Sequence, residues 1–209
     1  MNDKINPLTH PLIQHKISLL RDQGTSCKIF RDLIHEIATL MCFEATRNLE
    51  LAEEVVQTPL EITHGHFLLR PITLVPVLRA GLGMVEAFSE LIPSARIGHI
   101  GLYRDHATLT PVEYYCKLPS DVGESDVFVL DPMLATGGSA AAAVDFIKKR
   151  GAKRISFLCI IASPEGITTL HEKHPDVEIY CGAVDRELNS EGYILPGLGD
   201  AGDRFFGTL

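Results

Sequence analysis

The chain has 209 residues, 45% of them apolar and 22% charged, which excludes a disordered chain and allows one domain of ordinary size. Nineteen Lys and Arg against 27 Asp and Glu give a formal net charge of −8, which argues against broad nucleic-acid or anionic-membrane binding. The surplus is uneven: residues 1–104 carry 10 basic and 11 acidic side chains, net −1, and residues 105–209 carry 9 and 16, net −7, so an anionic ligand must be held by local devices.

The N-terminal residues, from Met1 to Pro7, contain no apolar run of signal-peptide type, and no apolar stretch approaches the ~20 residues that span a bilayer. A cytoplasmic protein is expected. The five cysteines, at 27, 42, 116, 159 and 181, form no CxxC pair and read as reduced thiols. Residues 1–60 read as a helical N-terminal region behind a Pro-containing arm. Between 28 and 49 the apolar residues Ile29, Phe30, Leu33, Ile34, Ile37, Leu40, Met41 and Ala45 fall at three- and four-residue spacing, a stripe suited to the core or to a dimer contact.

From residue 72 the texture changes. Val- and Ile-rich runs at 72–77, 97–102, 127–130, 155–161 and 177–183 suit parallel strands covered on both faces. Helices are expected between them at 82–91, 138–150 and 165–174, with Gly151 at the end of the second and Pro164 and Pro175 bracketing the third. That alternation predicts an α/β core over 72–183, with a mostly parallel sheet flanked by helices and ligands at the carboxyl ends of its strands.

The loop after 127–130 is the richest in chemistry. An apolar strand ends at Asp131, and Pro132, Met133, Leu134, Ala135, Thr136, Gly137, Gly138 and Ser139 lead directly into a helix. Glycines let backbone approach a ligand closely, and free N–H groups at a helix start bind phosphate without Lys or Arg. Asp131 stands where it could meet ribose hydroxyls or a metal-bound ligand. A plain helix start with a tight turn remains the bland alternative. Three more segments weigh against it. VPVLRAGLGM at 75–84 sets Arg79 and two glycines at a strand tip, where Arg can grip a diphosphate or merely lie on the surface. GLYRD at 101–105 ends a strand at Arg104 and opens a polar loop, either a lid or an ordinary hairpin. YILPGLGDAGDRFFG at 193–207 is glycine-rich yet apolar and aromatic, which suits an ordered loop that reads a flat polar base with main-chain groups.

These four segments resemble the uracil phosphoribosyltransferase family, a branch of the type I phosphoribosyltransferases, along nearly the whole chain. The resemblance implies one phosphoribosyltransferase domain over 1–209, with a uracil-binding hood at 185–209 behind the helical arm and the core. It implies transfer of phosphoribosyl from 5-phosphoribosyl 1-diphosphate (PRPP) to uracil, giving UMP and diphosphate, with Mg²⁺ bound as Mg-PRPP and no metal ligand assigned directly to the protein. PRPP would be held by residues 131–139, Arg79, Arg104 and Asp200. Uracil would be read at Ile194, Gly199, Asp200 and Ala201. Asp131, Arg79, Arg104 and Asp200 would carry the catalytic roles, with Asp200 a candidate base by position. A homodimer or higher homo-oligomer is implied, and no nucleic-acid or membrane partner. The chain departs from the wider type I pattern at Pro132, where a second acid is common, and in the lid, where Ala107 and Thr110 stand near expected carboxylates. A transferase for another base and an RNA-binding regulator on the same fold are the competing readings, and the acidic second half opposes the latter.

Overall fold

The computed structural model describes residues 4–104 and 111–208, with the side chains of Arg104 and Pro111 outside that description. A short strand, β1 (Ile5–Pro7), precedes helices α1 (Pro11–Arg21) and α2 (Cys27–Ala45). Each helix starts on a side-chain cap: His10 Nδ1 accepts Leu12 N–H at 3.2 Å, and Ser26 Oγ accepts Ile29 N–H at 3.4 Å. Pro11 sits in the first turn of α1, where a missing N–H costs nothing. Most of the apolar stripe of α2 faces inward, with Phe30, Ile34, Ile37 and Met41 buried and Ile29 exposed. Most of the stripe is therefore core.

The helical expectation for residues 1–60 holds to Ala45 and fails beyond it. Strand β2 (Leu51–Gln57) pairs antiparallel with β3 (Ile62–Leu68), from Leu51 against Leu68 to Gln57 against Ile62. Val55 and Val56 favour an extended backbone. Thr58 Oγ1 closes the turn by accepting the N–H groups of Leu60 and Glu61 at 3.2 and 3.0 Å. This ribbon forms its own two-stranded sheet.

The core follows in chain order as β4 (Ile72–Leu78), α3 (Leu82–Leu91), β5 (Arg96–Ile97), β6 (His99–Arg104), β7 (Pro111–Lys117), β8 (Asp126–Leu130), β9 (Met133–Leu134), α4 (Gly138–Lys149), β10 (Arg154–Ala162), α5 (Pro164–Lys173) and β11 (Glu178–Val184). The tail adds β12 (Glu187–Leu188), β13 (Ile194–Leu195) and α6 (Ala201–Phe206). The main sheet runs β1-β11-β10-β8-β4-β6-β7, parallel except at the β6–β7 edge. This is the expected mostly parallel sheet flanked by helices. The residues between β6 and β7, including Asp105, His106, Ala107 and Thr110 of the expected lid, lie outside the described residues.

Alternate strand residues feed two cores. Leu74, Phe128, Leu130, Leu158 and Ile160 pack under α1, α2 and α3 on one face. Val75, Val127, Val129, Phe157 and Cys159 pack under α4 and α5 on the other. Strands buried on both faces read as unbroken apolar runs, which is why they are legible in the sequence. Burial also quiets the thiols, pushing Cys42 up to about 12 and Cys181 up to about 11. No helix among the described residues is long and apolar enough to cross a membrane.

Candidate active site

The parallel strands β4 and β8 deliver their carboxyl ends to one side of the sheet, and the loops that follow them meet there. β8 ends at Leu130, and Asp131 opens the loop. Its Oδ1 accepts the N–H of Met133 at 3.2 Å, an Asx-type bond that bends the chain back toward β9. β9 then pairs with β10, Met133 against Ile161 and Leu134 against Ala162. The loop is thus held by sheet hydrogen bonds on its outgoing half.

Gly137 is the N-cap of α4 at φ +78°, and no side chain caps the helix. The N–H groups of its first turn have no partner inside the helix, and no acidic side chain stands in that turn. The positive end of the helix dipole faces the same way, which makes an anion site of the kind that needs no cation. A side chain at Gly137 would place its Cβ 2.6 Å from Gly166 O and 2.7 Å from Thr169 Cβ. Only glycine allows α5 to back the loop this closely. Ser163, fully buried at the start of α5, locks the contact. Its hydroxyl donates to Ala135 O at 2.6 Å and accepts Gly166 N–H at 2.8 Å, while its own N–H donates to Leu134 O at 2.9 Å.

The tail closes the opposite wall. Asp200 caps α6, accepting Asp203 N–H at 2.9 Å, and Ala201 and Gly202 follow in its first turn. A cleft of about 190 Å³ is lined by Ala80, Asp131, Met133, Leu134, Ala135, Thr136, Gly137, Ser139, Ala140, Asp200, Ala201 and Gly202. The fold therefore brings most of the 131–139 loop together with Asp200 and Ala201. Pro132 is buried behind the loop, and its carbonyl accepts the N–H groups of Ile160 and Ile161 at 2.9 and 3.1 Å. Gly138 is half-buried in the helix start beside the lining residues. Ala80, Ala140 and Gly202 line the cleft without having been singled out, since small side chains carry no chemical signal of their own.

Arg79 follows β4 next to Ala80, and the guanidinium turns to the tail: Nη2 lies 3.5 Å from Asp203 Oδ1, over the Phe206 ring at 5.4 Å from its centroid. The side chain is 58% exposed and does not line the cleft. Arg104 ends β6 on the same side of the sheet, and its side chain is outside the described residues. Ile194 and Gly199 stand apart from the cleft lining. The Ile194 side chain is buried in the core. Arg186 N–H donates to Leu195 O at 3.0 Å and Asn189 N–H to Tyr193 O at 2.9 Å. These bonds flank Ile194, so its own amide and carbonyl turn away from β12. Gly199 is exposed at φ +81°.

Asp131 is the electrostatic centre. It opens to the cleft on one side yet is enclosed by protein, and burial pushes its carboxyl from the ordinary 3.8 up to about 7. The Met133 N–H works against that shift, and the neighbouring Asp200 adds to it. Two carboxylates facing one cleft repel each other until a cation enters, and that is their natural complement. A larger cleft of about 270 Å³ lies at the amino ends of the strands. Its Arg70 and Arg154 are both engaged by Asp126, at 3.1 and 2.9 Å. That side of a parallel sheet is not where such folds place ligands.

The chain matches known proteins along nearly its whole length. The family model described as uracil phosphoribosyltransferase matches residues 7–208. A protein of Finegoldia magna named uracil phosphoribosyltransferase is 58% identical over 98% of this chain and 99% of its own. Among solved structures, the AQ2163 protein of Aquifex aeolicus superposes with a TM-score of 0.91 at 39% identity, over 97% of each chain. A hypoxanthine phosphoribosyltransferase of Staphylococcus aureus shares the fold alone, with a TM-score of 0.52 at 10% identity over 87% and 84% of the two chains. On the strength of a family model spanning almost every residue and of these full-length relatives, the chain belongs to the uracil phosphoribosyltransferase family.

Proposed function

We propose that this protein transfers phosphoribosyl from PRPP to uracil, releasing diphosphate and UMP, a salvage reaction of the cytoplasm. One observation carries the reading: the uncapped start of α4, Asp131 and the Asp200–Ala201 turn of the glycine-rich tail face a single cleft at the strand carboxyl ends. The first suits a 5-phosphate, the second a ribose, and the third a base read through its edge. In the reaction the C1–oxygen bond to diphosphate breaks, uracil N1 bonds to C1, and the N1 proton passes to a base, for which Asp200 is the candidate by position. Positive charge builds on the sugar and negative charge on the leaving group.

Residues 133–139 hold the phosphate through backbone N–H groups, aided by the hydroxyls of Thr136 and Ser139. Asp131, ionised, meets the ribose and stabilises its developing cation. Arg79 and Arg104 hold the diphosphate and stabilise its charge as it leaves. Ile194, Gly199 and Ala201 present main-chain groups to the base, and Asp200 stands between base and PRPP. Mg²⁺ usually binds through one or two carboxylates plus substrate phosphates, and Asp131 and Asp200 fit that donor set. Bound with PRPP, it would neutralise charge on the diphosphate. The substrate's own oxygens would complete the coordination.

The test is turnover with PRPP and, in turn, uracil, cytosine, guanine and hypoxanthine, with UMP or its counterpart quantified. Uracil is expected to be the preferred base, and inactivity with uracil would sink the reading. Arg79→Ala is expected to lower kcat/KM for PRPP by about a hundredfold, the scale of losing a charge-assisted contact to the leaving group. Asp200→Asn keeps the cap on Asp203 N–H and loses only charge, so activity should fall by about tenfold with an unchanged melting temperature.

We also propose a homodimer or higher homo-oligomer, joined through the β2–β3 ribbon. A lone two-stranded ribbon is marginal in water. This one exposes Val55, Leu60, Ile62 and Phe67, with Leu60 94% exposed. A Val55→Glu, Ile62→Glu double variant should shift the mass measured by light scattering toward the monomer. An unchanged mass would reject this interface.

A further inference from the structure

A buried ion pair outside the cleft ties the base-reading loop to the N-terminal helix. Asp185 follows β11 and is only 7% exposed. Arg21, the last residue of α1, sets both terminal nitrogens on its carboxylate, with Nη1 2.7 Å from Oδ2 and Nη2 on Oδ1. The same Nη1 donates to Gly197 O at 2.7 Å, and Gly197 N–H donates to Asp185 Oδ2 at 2.9 Å. Two side chains 164 positions apart thus take up both backbone polar groups of one loop residue, two places before Gly199. Gly197 has φ +66°, and a Cβ there would lie 2.1 Å from Ile194 O, so the turn that carries Ile194 depends on its shape.

The anchor itself is firm. Asp185 N–H donates to Ala162 O at 2.8 Å, extending the β10–β11 pairing by one bond. On the far side of the loop Arg204, stacked over Phe30 at 4.5 Å, donates through Nη1 to Leu198 O and Leu20 O at 2.7 and 2.9 Å, and through Nη2 to Asp22 O at 2.6 Å. The carbonyls of Gly197 and Leu198 are therefore both tied to the end of α1.

An ion pair with a buried carboxylate is weak grounds for a stability role, because desolvation offsets the attraction. What it does supply is one fixed geometry. We infer that Asp185 and Arg21 are positioning residues of the base subsite. Neither lines the cleft. They hold Gly197, and through it the stretch from Ile194 to Ala201, in the register that a base must meet. This rests on the uracil reading proposed above.

The experiment uses full-length protein, with steady-state kinetics in both substrates and a thermal midpoint for each variant. Wild-type turnover with uracil is measured first, and its absence would overturn the base reading and this inference with it. With that turnover present, Asp185→Asn is expected to raise KM for uracil about tenfold while KM for PRPP stays within about twofold, the scale of one charge-assisted hydrogen bond. Arg21→Lys keeps the positive charge but not the fork, and the same split is expected at about half the size on a logarithmic scale. Because it leaves the carboxylate paired, it carries the test if Asp185→Asn does not fold. An unmoved KM for uracil, or both KM values rising in step, would overturn the positioning role and leave the base reading standing.

Discussion

Replacing Asp131 with asparagine is expected to lower kcat/KM for PRPP by about a hundredfold or more at pH 8, and at the same time to stabilise the free protein. The two effects have one cause. Burial raises the carboxyl from 3.8 to about 7, so the native state holds a proton that the unfolded chain has released across that interval. Stability from this group is therefore greatest at low pH and falls as pH rises from about 4 to about 7, at up to roughly 1.4 kcal/mol per unit. Above 7 the loss is complete. Asparagine carries no such cost, and its melting temperature should exceed that of the wild type at pH 8 and match it near pH 4. Catalysis runs the other way. In the role proposed for Asp131 the ionised form is the one that meets the ribose, so wild-type kcat/KM for PRPP should rise through pH 7 and level off above it. The variant should lack that limb. A wild-type profile flat between pH 6 and 8 would remove Asp131 from the proposed role.

Gly137→Ala should abolish PRPP binding nearly as thoroughly, by a steric route. At φ +78° an alanine is strained in any surroundings, by about 1–2 kcal/mol. Here its Cβ also meets Gly166 O at 2.6 Å, a backbone atom of a residue whose N–H is held by Ser163 Oγ. Neither side can yield cheaply, so the start of α4 must move, and its N–H groups with it. Calorimetric affinity for PRPP is expected to fall by at least about a hundredfold, the cost of two or three misaligned donors to a phosphate. Gly151→Ala at the other end of the same helix separates strain from function. Its φ is +100°, yet no atom lies within 4 Å of the added Cβ. It should lower stability by about 1 kcal/mol and leave PRPP affinity alone. Equal losses of affinity in the two variants would mean that the helix as a whole, and not its start, is what PRPP requires.

Much of this architecture is readable from local order. Leu82–Leu91 and the strands β4, β8, β10 and β11 appear where apolar runs and glycine or proline stops place them, because strands covered on both faces leave an unbroken apolar record, while the 97–102 run breaks at Gly98 into β5 and β6. The loop from Asp131 to Ser139 is readable for a related reason. An acid, two glycines and hydroxyls at a strand-to-helix junction are all adjacent in sequence, and such a junction is of the kind that binds anions. The resemblance of YILPGLGDAGDRFFG added the base, which periodicity alone did not supply.

Other features depend on partners far away in the chain. Residues 51–57 contain helix-compatible Leu, Ala and Glu, and their pairing with 62–68 decided the strand. The 29–41 stripe fits a core or a subunit contact equally well as a pattern, and only the packing of α1, α3 and the sheet against it selected the core. The direction of Arg79 toward Asp203, and the grip of Arg21 and Asp185 on Gly197, join residues 124 and 164 positions apart. The sequence by itself determined an acidic α/β chain with a glycine-rich strand-to-helix loop and an ordered, glycine-rich tail. Tertiary structure alone decided which wall each residue occupies, because a side chain's direction and a carboxyl's affinity for its proton are set by neighbours that the chain brings together only on folding.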